Sequence, residues 1–363
     1  VTEVRKITDL LSDGRELIYF DDPSTSLTPG RKKDQRQDKT RKSAGRIRFD
    51  PLTSEWVAIA PHRQARAFLP SLDQCPLCVS TEANLSEIPD KFDVAVFENR
   101  NPSFGQHFEK DVPHSPEDSV SQELAQERDA MGRCEVIVFS PDHTGSLGQL
   151  STQRVRTVLE ALADRTKELQ KLNGVIQVCP FENRGQEVGV TLHHPHGQIY
   201  AYPFVTPRTQ KLLQSIDTIG EAFYEDILSF ESQSDRALFK GKFFTAYVPY
   251  AARWPIEIHV LPIRHVNHLG ELSKDEMDEL ASVYKLLLTG LDMLYETPTP
   301  YIAAWHQAPL VDGGERVRLQ LQITSPRRAE TKLKYLAGSE SAMGAFITDG
   351  TPEEMAKRIR EVL

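Results

Sequence analysis

Residues 194–198 read His194, Pro195, His196, Gly197, Gln198. Two imidazoles two positions apart can share one metal, sit in a core with backbone partners, or divide the work, one anchored and the other presented. On a strand they share a face, since side chains repeat every two residues, and Gln198 returns to that face. A neutral imidazole attacks phosphorus without first losing a proton. Its second nitrogen must then donate to a fixed acceptor, or the wrong tautomer faces the substrate. Gln198 can donate to a phosphoryl oxygen but cannot transfer a proton, which suits a leaving group that departs as an ionised phosphate. Gly197 would leave room for a ligand to approach the backbone.

Metal chemistry has its own candidates. The chain has four cysteines: Cys75, Cys78, Cys134 and Cys179. Cys75 and Cys78 have the spacing of a zinc knuckle, yet a tetrahedral zinc needs two further ligands and no second C-x-x-C occurs. His143, just beyond a strand end, and His194 can complete a Cys2His2 set. A redox pair or two simply buried cysteines are the competing readings. Around these lie possible phosphate contacts. Asn183, in PFENRG, is expected in the turn after a strand, where it either binds a phosphate oxygen or closes the turn. Thr191 offers a hydroxyl. Arg63 and Arg66 of PHRQAR follow the strand WVAIA and can converge on a pyrophosphate, although isolated arginines are more often solvated.

The elements that position these residues show an internal repeat. Residues 135–151 (EVIVFSPDHTGSLGQLS) and 257–273 (EIHVLPIRHVNHLGELS) match at a constant offset of 122, with seven identities from Glu135/Glu257 to Ser151/Ser273. Each block reads as strand, turn and helix start. Ser151 caps a run with Val155, Val158, Leu159 and Leu162 on one face, while Ser273 and Glu276 form a capping box. Two strand-like segments follow each helix. At the same offset, His194, His196 and Gln198 face Arg316, Arg318 and Gln320, so the second copy lacks both histidines. Packing alone would not treat the two copies so differently, which favours a functional role for the first. RIRFDPLTSEWVAIAP predicts two strands joined by a turn at residues 51–54.

Length and composition bound the rest. A chain of 363 residues suits two domains or one built from two similar halves. The net charge of -9 disfavours nucleic-acid binding. Residues 23–45 are rich in Pro, Ser, Gly, Lys and Arg, which reads as a flexible, solvated basic arm. No apolar stretch approaches a membrane span and the start carries no apolar signal core, so a cytoplasmic protein is expected. Few cysteines fit that reducing compartment.

The PHRxxR block, CPLC, FSPDH, PFENRG, HPHGQIYA and WHxAP at Trp305–Pro309, occurring in this order, resemble the galactose-1-phosphate uridylyltransferase family, duplicated members of the histidine triad superfamily. The resemblance runs from about residue 46 to the C-terminus. It implies an α+β fold of two similar halves, each an antiparallel sheet with packed helices. Residues 1–45 would be an N-terminal extension, 46–205 the catalytic half, and 206–363 a degenerate half contributing to a sugar site and dimer. The implied reaction moves UMP from UDP-glucose to galactose 1-phosphate through a uridylyl-histidine. His196 would be the nucleophile and Gln198 would hold the phosphoryl group. Asn183 and Thr191 match positions near the phosphates, Phe181 one beside the substrate, and Arg63, Arg66, Phe97 and Asn99 nucleotide contacts. The family's structural zinc falls on Cys75, Cys78, His143 and His194, one ion per chain. Lys334 and Glu340 in KLKYLAGSE match the segment that reaches the hexose of a neighbouring subunit, implying a homodimer with shared sites. His306 matches a second metal site of some members, but Gln320 and Gln322 replace later histidines, so that metal is not expected. Alternatives are an ADP-sugar phosphorylase or adenylyltransferase using the same histidine, and a non-catalytic nucleotide-binding module.

Overall fold

A computed structural model describes residues 3–25, 30–65, 69–108 and 124–363. Its strands are β1 (Arg5–Leu10), β2 (Glu16–Asp21), β3 (Arg46–Asp50), β4 (Glu55–Ile59), β5 (Val94–Glu98), β6 (Glu127–Asp129), β7 (Arg133–Val138), β8 (Gln177–Arg184), β9 (His196–Tyr202), β10 (Ala237–Lys240), β11 (Phe244–Tyr247), β12 (Ile256–Pro262), β13 (Tyr301–His306), β14 (Gln320–Ser325), β15 (Arg327–Ala329) and β16 (Lys332–Leu333). The helices are α1 (Thr152–Leu169), α2 (Pro207–Ile219), α3 (Phe223–Ser232), α4 (Lys274–Met293) and α5 (Pro352–Arg360). The long helices begin where the capping residues stand: Ser151 accepts from the Arg154 amide, and Ser273 with Glu276 forms a complete capping box. β3 and β4 are the pair expected from RIRFDPLTSEWVAIAP. The fold is α+β, and no described helix is long and apolar enough to cross a membrane.

An 11-stranded antiparallel sheet runs in the order β1-β2-β5-β7-β9-β8-β13-β14-β12-β11-β10. The repeat explains this order. β7, β9 and β8 return as β12, β14 and β13 in reverse, so the equivalent strands β8 and β13 meet at the centre, Asn183 opposite Ile302. Both long helices cover one face. Val155, Val158, Leu159 and Leu162 of α1 share a single buried cluster with Leu280, Leu287 and Leu291 of α4 and with strand residues of both halves. Such a core is held by apolar burial that neither half could achieve alone.

The repeated Leu-Gly pairs stand at the contact between the halves. Leu147–Gln149 and Leu269–Glu271 are matching 3-10 turns, each packed on the long helix of the other half. A Cβ on Gly148 would lie 2.9 Å from Cβ of Leu288, and one on Gly270 would lie 2.5 Å from Cε of Lys167. The shared glycines therefore let each turn approach the opposite helix.

Part of the described basic stretch is less solvated than its composition suggests, while residues such as Lys32, Lys33 and Lys39 are exposed. Residues 30–45 have no regular structure, but Arg31 pairs with Asp21 at 2.6 Å, with side chains 2% and 0% exposed. Arg36 meets Asp34 and Glu87, and Arg41 meets Glu98. Apart from Asp34, these carboxylates lie outside the stretch, so nothing in its own composition announces them. β1 and β2 also join the main sheet, which makes the described part of residues 1–45 integral to the fold.

Gly148→Ala should lower stability by about 1–3 kcal/mol through overpacking against α4, read by urea denaturation. Arg31→Ala should cost about 3 kcal/mol, because buried Asp21 would lose its bidentate partner and keep only the longer contact to Arg5 at 3.7 Å. A midpoint unchanged in either variant would contradict the packing described.

Candidate functional site

β9 alternates between two environments. Gly197, Ile199 and Ala201 are buried toward the helices, while His196, Gln198 and Tyr200 stand on the other face. Phe181 and Asn183 of neighbouring β8 share that second face by the same alternation. β8 extends through Arg184, so Asn183 is a strand residue rather than a turn residue; its pairing with β13 holds it there. Gly197 also differs from expectation. A Cβ there would meet the Phe181 carbonyl at 2.9 Å and the Phe139 ring at 3.0 Å, so the glycine admits core atoms and not a ligand.

The two histidines of HPHGQ divide the work. His194 precedes the strand, fully buried, and its Nδ1 lies 3.8 Å from Sγ of Cys75 and 3.5 Å from Sγ of Cys78. Nδ1 of His143 is 3.4 Å from Sγ of Cys78. All four ligand atoms fall within 4.8 Å of one another. Donors about 2.0–2.3 Å from a tetrahedral ion are spaced this way. Nε2 of His194 donates to the Ser140 carbonyl at 2.8 Å, the outer contact that orients a ligating imidazole. Burial, opposed by that carbonyl, lowers the His194 pKa to about 4, while burial and then Cys75 raise Cys78 to about 12. A cation would reverse the preference of the thiols and is the missing charge such a donor set requires. The C-x-x-C loop is tied down by Asn84 donating to the Cys75 carbonyl and Ser86 to that of Cys78.

His196 is the presented member. Its Nδ1 donates to the His194 carbonyl at 2.7 Å, which leaves the lone pair on Nε2. Burial, against that carbonyl bond, holds its pKa below the usual imidazole value. His196 lies between two cavities. One, of 310 Å³, is lined by Phe97, Asn99, Thr191 and Gln198, together with Lys42 and Asn101. The other, of 190 Å³, holds Asn183 and Ser146, whose buried hydroxyl oxygen has no partner.

Other expected residues are placed differently. Arg63 lines neither cavity; it donates to the Asn101 carbonyl at 3.1 Å and to the Tyr200 hydroxyl at 3.2 Å. Arg66 lies outside the described residues. Phe181 lines neither cavity but packs edge-on against Tyr200 with ring centres 5.1 Å apart. Lys334 and Glu340 pair at 2.8 Å in the C-terminal segment, away from both cavities. Lys42, Asn101 and Tyr200 were not picked out from sequence. Alternation along HPHGQIYAY could have found Tyr200; nothing local could have found Lys42.

In the second half the equivalent positions are occupied structurally. His265, the copy of His143, bonds the Glu315 carbonyl at 2.8 Å. Arg316 pairs with Asp217 of α2, and buried Arg318 with Glu225 of α3. His306 meets Gln322 at 3.1 Å, whose amide donates to Glu257, which also holds His259.

The chain matches two family models, described as galactose-1-phosphate uridyl transferase, N-terminal domain, over residues 34–206 and C-terminal domain over 208–363. A galactose-1-phosphate uridylyltransferase from Streptomyces lividans is 37% identical, covering 99% of this chain and 98% of its own length. One from Thermotoga maritima is 35% identical, covering 87% of this chain and 98% of its own. The solved "Structure of uridylyltransferase" superimposes with a TM-score of 0.77 at 33% identity, over 87% of this chain and 98% of that one. The similarity thus reaches well upstream of residue 46, in keeping with the structural integration of that region.

Cys75→Ser should reduce the bound transition metal in purified protein and lower its melting temperature. Elemental analysis and calorimetry check this; a metal-free wild type of full stability would contradict the ligand assignment.

Proposed function

The chain belongs to the galactose-1-phosphate uridylyltransferase family, and from that premise we propose that His196 is the nucleophile of a two-step transfer. The enzyme moves UMP from UDP-glucose to galactose 1-phosphate. The observation that carries the role of His196 is the bond from Nδ1 to the His194 carbonyl, which aims the Nε2 lone pair between the two cavities. Nε2 attacks the α-phosphorus, and the bond to the bridging oxygen breaks, its electron pair leaving with glucose 1-phosphate. A phosphate oxygen of galactose 1-phosphate then attacks the uridylyl-histidine; the P–N bond breaks and its electron pair returns to the imidazole. No step needs an acid on the leaving group, which agrees with glutamine at position 198.

Gln198, Asn183 and Thr191 donate to the phosphoryl oxygens as charge develops in the transition state. Phe97 and Asn99 hold the nucleotide, with Arg63 bracing the Asn101 end of the same cavity and Arg66 a further nucleotide contact. Phe181 flanks the reacting group. The Cys2His2 cluster holds one structural zinc, which fits two soft thiolates and two imidazoles.

Residues 46–205 form the catalytic half, and 206–363 support the sugar site and a homodimer. Tyr335 is 76% exposed and Met343 80%, apolar surface flanking the Lys334–Glu340 pair and available to a second subunit. There Lys334 and Glu340 would face the hexose. Four free cysteines suit the reducing cytoplasm.

UDP-glucose without acceptor should release one equivalent of glucose 1-phosphate in a burst and add the mass of one UMP to the peptide carrying HPHGQ. His196→Ala should give neither, whereas His306→Ala should keep the burst within about 3-fold, since its partners are structural. Repeated turnover to free UMP would mark a hydrolase, and reaction with ADP-glucose alone an ADP-sugar enzyme.

A further inference from the structure

Gln198 must present its NH2 group, and not its carbonyl, to a phosphoryl oxygen. A side-chain amide has nearly the same shape in both orientations, so something must choose between them. Tyr200 stands two residues further along β9 on the same face. Its hydroxyl accepts from Nη2 of Arg63 at 3.2 Å and donates to Oε1 of Gln198 at 3.3 Å. The direction of this chain is set by its first member, because a guanidinium can only donate. The Tyr200 oxygen thus accepts from Arg63, and its hydroxyl is within donating reach of the Gln198 carbonyl. That leaves the amide NH2 turned from Tyr200 toward the cavity shared with His196.

We infer that Tyr200, polarised by Arg63, is a positioning residue that fixes the orientation of the Gln198 amide for uridylyl transfer. Arg63 is itself held, its other terminal nitrogen donating to the Asn101 carbonyl at 3.1 Å. The Tyr200 ring is fixed by Phe181 at 5.1 Å and Phe104 at 6.0 Å, edge-on contacts that do not involve the hydroxyl. Ring and hydroxyl thus have separable roles. This inference rests on the proposed roles of His196 and Gln198. It adds a reason why an arginine near the phosphates can matter without touching them.

Tyr200→Phe keeps the ring packing and deletes the hydroxyl of the relay. In single turnover with UDP-glucose, followed by the mass of the protein adduct, the maximal rate should fall about 10-fold, the size of one neutral hydrogen bond. The half-saturating UDP-glucose concentration, the metal content and the melting temperature should stay as in wild type. In a Gln198→Ala background the same change should alter the rate less than about 2-fold, because the group it orients is gone. A Tyr200→Phe rate equal to wild type would overturn the inference while leaving the His196 mechanism intact. So would a rise in half-saturation at unchanged maximal rate, or a full additional loss without Gln198. Failure of the wild type to form an adduct would instead remove the mechanism, and the inference with it.

Discussion

The hydrogen bond from Nδ1 of His196 to the carbonyl of His194 is the constraint on which the site depends. It sets the tautomer of His196, the proposed nucleophile, and ties its position to that of a neighbouring residue. His194 is in turn immobilised twice, by the Ser140 carbonyl and by the cluster it shares with His143, Cys75 and Cys78. The metal-type cluster therefore adjoins the proposed nucleophile, with Pro195 between its member His194 and His196. Its contribution is rigidity, delivered through backbone. Strand alternation then carries the same order outward to Gln198 and Tyr200, because each shares a face with His196.

A second level of organisation comes from the duplication. Two copies of one unit place equivalent strands side by side at the centre of the sheet and cross-pack their turns on each other's helices. The first copy carries His196 and Gln198, the proposed reacting groups, on the face away from those helices. The second fills the matching positions with ion pairs and carbonyl contacts: Arg316 to Asp217, Arg318 to Glu225 and His265 to Glu315.

What the sequence disclosed follows the range of the underlying physics. The helix caps at Ser151 and Ser273, the strand pair around Pro51 and the repeat itself depend on near neighbours or regular spacing, and all were legible. The Cys2His2 cluster was legible in part: C-x-x-C supplied two members by spacing, and the family resemblance completed the set with His143 and His194. Part of the basic stretch was misread because ion pairing is non-local: Arg31, Arg36 and Arg41 find partners on β2, in the loop around Glu87 and on β5. Gly197 was misread for a related reason. A glycine signals close approach, but only the fold says that the approaching atoms belong to Phe139 and Phe181. The place of Arg63 behind Tyr200, instead of in the cavity lining, was equally invisible to spacing.

The central seam has a consequence for the chain as it is synthesised. β8 ends at Arg184, yet its outer edge is covered only by Tyr301–His306. At about 5–20 residues per second this edge waits roughly ten seconds for its partner on a ribosome. An unpaired strand edge in a growing polypeptide invites association with neighbouring nascent chains. β8 contains Pro180, which offers no amide hydrogen, and Glu182 and Arg184, whose charges discourage a foreign strand. These residues make the edge a poor template for a foreign strand until β13 closes the sheet.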